Sequence, residues 1–126
     1  MPAPIPTDIK LQKASRTLSL TYADGHTYVL PAEYLRVHSP SAEVRGHGSP
    51  VLQTGKQHVG LTGLAPVGNY ALKLVFDDGH DTGLFSWDYL YELATRQEAR
   101  WQAYLDQLQA AGASRDPDVS TVKLML

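Results

Sequence analysis

The sequence predicts an α+β domain, an antiparallel β-rich body of two hairpin units carrying a long C-terminal α-helix. Twice, alternating apolar and polar residues run into an Asp-Gly turn, at Asp24-Gly25 and at Asp78-Gly79, the strongest short-range hairpin signal. From Ser86 onward the apolar period becomes helical. The 126 residues, 43% hydrophobic and 19% charged, suit one domain whose core needs neither metal nor disulfide.

In chain order, Ile9-Lys10-Leu11-Gln12-Lys13 alternates and reads as a strand beside the first hairpin. That hairpin runs through Leu18 to Tyr22, turns at Asp24-Gly25 and resumes in Thr27 to Leu30. Val37 to Lys56, rich in Ser, Pro, Gly and His, is too long and polar for a simple connector, and loops of that kind are functional or disordered. Val59 to Leu64 reads as a strand beside the second hairpin, with Pro66-Val67-Gly68-Asn69 as the intervening turn. The second hairpin runs through Tyr70 to Phe76, turns at Asp78-Gly79 and emerges in Thr82 to Phe85.

Leu-x-Leu-x-aromatic-x-Asp-Gly-His recurs at Leu18 to His26 and Leu72 to His80, each followed by an acidic residue and Tyr-Leu, at Glu33-Tyr34-Leu35 and Asp88-Tyr89-Leu90. This reads either as an internal repeat of hairpin plus helical turn or as two unrelated Asp-Gly hairpins. The helix places Trp87, Leu90, Leu93, Ala94, Trp101, Tyr104, Leu105 and Leu108 on one apolar face, with Ser86 as N-cap and Asp88 in the first turn, and ends near Gly112. Residues 1–112 are thus expected to form one domain and 113–126 a flexible tail; Val119 to Leu126 has strand character without an evident partner.

A net charge of -2 and a pI near 6.2 give no field to attract a polyanion, which argues against nucleic acid as a partner. No apolar run approaches the roughly 20 residues that cross a bilayer, and Met1 to Lys13 lacks the basic start and apolar stretch of a leader, so a cytoplasmic protein without membrane association is expected. The absence of Cys removes disulfides, thiolate nucleophiles and Cys-based zinc or iron–sulfur ligation. Gly-x-Ser-x-Gly, phosphate-loop and dinucleotide fingerprints are missing as well.

Two groups of residues could still carry chemistry. Glu43, His47 and His80 could present two imidazoles and a carboxylate to Zn or Fe. The competing reading makes Glu43 and His47 loop residues that fix a turn, with His80 completing its hairpin. Asp77, Asp78 and Asp81 lack the calcium-loop pattern and read as solvated turn carboxylates. Trp87, Tyr91 and Trp101 are candidate partner-binding anchors, since Trp and Tyr dominate binding hot spots, although their spacing also fits a buried stripe.

The blocks Leu30-Pro31-Ala32-Glu33-Tyr34-Leu35-Arg36, Ser39-Pro40-Ser41-Ala42-Glu43-Val44-Arg45-Gly46-His47, Val67-Gly68-Asn69-Tyr70-Ala71 and Phe76-Asp77-Asp78-Gly79-His80-Asp81-Thr82-Gly83, with Trp87-Asp88-Tyr89-Leu90, carry a family resemblance. From about Ile9 to Leu108 the chain resembles the γ-butyrobetaine-hydroxylase-like N-terminal domain family (domain of unknown function 971), in its short stand-alone bacterial form. In the hydroxylase this domain precedes a jelly-roll domain that holds the iron and uses 2-oxoglutarate. This sequence has no counterpart of that half, so the enzymatic name does not transfer.

The resemblance also implies a structural zinc in the hydroxylases, held by Cys-x-Cys-x-x-Cys and the histidine of the Asp-Gly-His turn. Here the three cysteine positions fall on Ser39, Ser41 and Val44, and His80 alone matches. His38, Glu43 or His47 would have to rebuild a site around it. The same domain is similar to a module appended to P-loop scaffold proteins for iron–sulfur assembly, which implies an accessory role. The expectation is therefore a non-catalytic accessory or protein-interaction domain, linked to metal-cofactor assembly or an oxygenase-type partner. The alternative is a metal-binding domain at Glu43, His47 and His80, and last a serine hydrolase. A protein partner is expected, and a second copy of the chain is an admissible one.

Overall fold

The structure is a computed structural model, and it describes residues 4–40, 52–81 and 83–116. Two three-stranded antiparallel sheets build it, each followed by a helix. The first comprises β1 (Asp8–Gln12), β2 (Thr17–Thr21) and β3 (Thr27–Pro31), with α1 (Ala32–Val37) continuing from β3. The second comprises β4 (Leu61–Val67), β5 (Ala71–Phe76) and β6 (Leu84–Ser86), with α2 (Trp87–Thr95) continuing from β6. In both sheets the middle strand is the second one, so the unit anticipated from the recurring Leu-x-Leu pattern is built twice with the same topology.

Register explains which side chains turn inward. Leu18 lies opposite Leu30 in the first sheet and Leu72 opposite Phe85 in the second, and all four are buried. With Leu20, Leu74, Phe76, Leu35, Leu90 and Leu93 they form one core shared by both sheets and the first two helices. Burying a Leu or Phe side chain is worth roughly 1.5 to 3 kcal/mol, which makes this core the main source of stability. Inside it the Tyr34 hydroxyl donates to the Leu93 carbonyl at 2.8 Å, tying α1 to α2.

Two boundaries differ from expectation. Pro66 and Val67 belong to β4, and the turn falls on residues 68–70 with Gly68 at positive φ. β4 is an edge strand, where a residue without an N–H is tolerated. The long helix divides at Arg96 (φ -114°, ψ 24°) into α2 and α3 (Gln97–Ala111). The Thr95 hydroxyl donates to the Tyr91 carbonyl at 2.9 Å, a back-bond of the kind that bends helices. Ser86 caps α2 by accepting the Tyr89 N–H at 3.1 Å, as its sequence position suggests. Gly112, in the left-handed conformation, ends α3.

The first residues beyond Gly112 are held. Gly55 N–H donates to the Ser114 carbonyl and Gln57 N–H to the Arg115 carbonyl, each at 2.9 Å. Among the described residues no helix is long and apolar enough to cross a membrane.

Candidate functional site

The second Asp-Gly-His turn anchors a polar cluster of Arg36, Ser39, Lys56, Asp78 and His80. Gly79 takes φ 90°, a conformation that favours glycine, and the Asp78 carboxylate accepts the His80 N–H at 3.1 Å. This turn aims the imidazole inward, where it is 5% exposed. His80 Nε2 is hydrogen bonded to Ser39 Oγ at 2.8 Å, and Ser39, just past α1, is fully buried. A Cβ on Gly83 would stand 2.1 Å from that Ser39 oxygen, so the strand approaching β6 passes only because residue 83 has no side chain.

Asp78 Oδ2 accepts from Arg36 Nε at 2.9 Å and from Lys56 Nζ at 3.0 Å. The Arg36 side chain is 6% exposed and also donates to Gln53 Oε1. Burial alone would raise the Asp78 pKa, but the Lys56, His80 and Arg36 donors outweigh it and hold the carboxyl below its ordinary range. Asp77, Asp78 and Asp81 are all exposed, as expected of turn carboxylates, and Asp78 in addition neutralises the buried Arg36 guanidinium.

Next to this cluster, His38 Nδ1–H donates to the Tyr34 carbonyl at 2.8 Å, and the Tyr89 hydroxyl donates to the His38 carbonyl at 2.5 Å. Burial pushes the His38 pKa down, more than the Tyr34 bond raises it, and keeps the ring neutral at pH 7. A cavity of about 790 Å³ lies beside it, between the end of α1, Leu52 and Gln53, and α3. The Tyr104 hydroxyl donates to the Gln53 carbonyl at 2.6 Å, and burial pushes this phenol up to about 12.

Of the proposed metal ligands, Glu43 and His47 lie outside the described residues, as do Ser41 and Val44. Among the described residues no group of three His, Asp or Glu side chains could hold a metal ion. The contact between Ser39 and His80 joins the two described positions that the family resemblance assigns to zinc. They do not fit a thiolate zinc site, because a neutral hydroxyl stands where a sulfur ligand is needed and it already engages Nε2.

The three candidate anchors are half-buried. Trp87 Nε1–H donates to the Asn69 carbonyl at 2.9 Å, and Tyr91 packs edge-on against Tyr22 with centroids 5.2 Å apart. Trp101 packs against Tyr34 and carries the Arg115 guanidinium over its ring, 5.1 Å from the centroid. Arg115 is clamped on Glu33 by two bonds of 2.7 Å, Nε to Oε2 and the second nitrogen to Oε1. This fork, which the Glu33 hydrogen bond makes more basic still, borders a second cavity of about 480 Å³, lined also by Pro31, Gln97 and Glu98. Sequence reasoning missed Arg36, Lys56 and the Glu33–Arg115 pair; the acidic residue before Tyr-Leu at Glu33 was the one visible signal.

Among the solved structures to which the chain is similar, three are informative. Two are proteins whose NMR solution structures are known: one 66% identical with a TM-score of 0.84, covering 98% of this chain and 99% of the other, and one 52% identical with a TM-score of 0.78, covering 98% and 95%. The third is a crystal structure of a protein of unknown function from Acidithiobacillus ferrooxidans ATCC 23270, assigned to the DUF971 family, 43% identical with a TM-score of 0.60 over 71% of this chain and 91% of that one. No curated protein matches. The family described as gamma-butyrobetaine hydroxylase-like, N-terminal, matches residues 9–91, and the chain belongs to that family.

Proposed function

We propose that this protein is a non-catalytic accessory domain that binds a protein partner, in the setting of metal-cofactor assembly or of an oxygenase-type enzyme. One observation carries the reading. The residues best equipped for chemistry, Ser39 and His80, are spent on each other inside the fold, whereas Trp101 borders an open cavity between α1 and α3. A buried hydroxyl and imidazole hold structure, and a half-exposed Trp beside a charged fork is the composition of a recognition surface. The setting rests on family company alone, since the domain is similar to modules found beside such machinery.

The test is capture from native extract on the immobilised protein, with Trp101→Ala and Ser39→Ala variants run in parallel. A specific partner retained by the wild type and by Ser39→Ala, and lost by Trp101→Ala, is expected. Saturable turnover of a small molecule that disappears in Ser39→Ala would overturn the reading in favour of an enzyme.

A further inference from the structure

We propose that the pocket between Glu33, Glu98 and Trp101 is a receptor for an arginine side chain on a basic segment of a partner protein, and that Arg115 occupies it in cis as a displaceable stand-in. The proposal deepens the accessory reading and rests on it.

The pocket has the parts that guanidinium recognition needs. The Glu33 carboxylate, 8% exposed, is fixed on α1 and offers both oxygens to a planar fork, which Arg satisfies bidentately and Lys cannot. The Trp101 face supplies the stacking wall, 5.1 Å from the Arg115 guanidinium carbon. Charge complementarity sets the chemistry of the occupant. Two carboxylates, Glu33 and Glu98, line the cavity against one cation, Arg115, so a further positive charge is favoured there. About 480 Å³ remains around the fork, within the range that holds a peptide side chain and its flanking backbone.

The stand-in is held by the same carboxylate and ring that an incoming guanidinium would use. Arg115 lies beyond the end of α3, its side chain is 36% exposed, and two backbone bonds, to Gly55 and Gln57, fix its stretch of chain. A tethered guanidinium competes with any incoming one at an effective concentration in the millimolar range, so its removal should raise apparent affinity.

The experiment uses the full chain and blocked tripeptides, acetyl-Gly-Arg-Gly-amide and its Lys counterpart, followed by tryptophan fluorescence and by NMR shifts. Arg115→Ala should bind the Arg tripeptide about tenfold more tightly than wild type does, and the Lys tripeptide about tenfold more weakly than the Arg one. Glu33→Gln in the Arg115→Ala background should abolish binding. If Arg115→Ala does not fold, Arg115→Lys keeps the charge without the fork and should still bind the Arg tripeptide several-fold better than wild type. Equal affinity of all folded variants overturns the proposal, and so does a dimer formed by exchange of the C-terminal segment, which would assign the pocket to a second copy. A partner captured equally by wild type and Glu33→Gln removes this site and leaves the accessory function standing. Tripeptide binding without any captured partner keeps the site and removes that function.

Discussion

The turns Asp24-Gly25-His26 and Asp78-Gly79-His80 share one backbone set in two surroundings. Their glycines have φ of 89° and 90°, and their Asp side chains accept the His N–H at 3.0 and 3.1 Å. In both, the residue two before Asp donates its N–H to the His carbonyl, at 3.0 Å from Tyr22 and 2.9 Å from Phe76. Yet His26 stands in solvent and bonds back to Asp24, while His80 is buried on Ser39 and its Asp78 neutralises Arg36. The difference lies in what the rest of the chain brings up to each turn. Arg36 of α1, Ser39 and Lys56 bond to the second turn, whereas in the first the Asp24 and His26 side chains bond to each other. A local motif therefore sets a conformation, and its partners decide whether that conformation becomes structure or surface.

Breaking the second turn should cost far more than breaking the first. Asp78→Ala leaves Arg36 buried without its carboxylate and should cost about 3 kcal/mol in urea unfolding; Asp24→Ala should leave the midpoint unchanged, because its pair is exposed. His80→Ala removes a buried ring and orphans Ser39, for about 2 kcal/mol, whereas His26→Ala should be silent. Equal effects at the two histidines would break the comparison. Alanine at either glycine meets no atom within 4 Å. The cost there is purely conformational, about 1 kcal/mol, and should be the same for Gly25→Ala and Gly79→Ala.

The smallest effect expected is in pH dependence. His38 has a folded pKa below its unfolded value, so its share of stability is full above about 6.5 and declines as pH falls below that. Asp78 behaves likewise in a lower window, full above about 4 and lost as pH falls through its depressed folded value. Thermal unfolding from pH 7.5 to 5 should show the first loss, and His38→Gln should flatten it.

Much of the architecture was legible because it is local. Asp24-Gly25 and Asp78-Gly79 announce their hairpins, alternation in Leu18 to Tyr22 and Leu72 to Phe76 sets the buried face, and Ser86 marks a helix start. The break at Arg96 was hidden, since the apolar period continues across it and neither Thr95 nor Arg96 is a helix breaker by residue type. The site was harder to read for a different reason. Arg36 meets Asp78 across 42 residues and Glu33 meets Arg115 across 82, and no periodicity encodes such pairings. Residue type placed His80 in the right neighbourhood, but its partner was the hydroxyl of Ser39.

The reach of the Glu33–Arg115 fork has a consequence for the order of folding. Each three-stranded unit closes over short loops, whereas the fork closes a loop 82 residues long, which cannot form cheaply until both units exist. The stretch around Ser114 and Arg115 is thus the last of the described residues to lock and the first to let go. Amide exchange at Gly55 and Gln57, whose protons it covers, should run ahead of exchange in β2 and β5 and time that release.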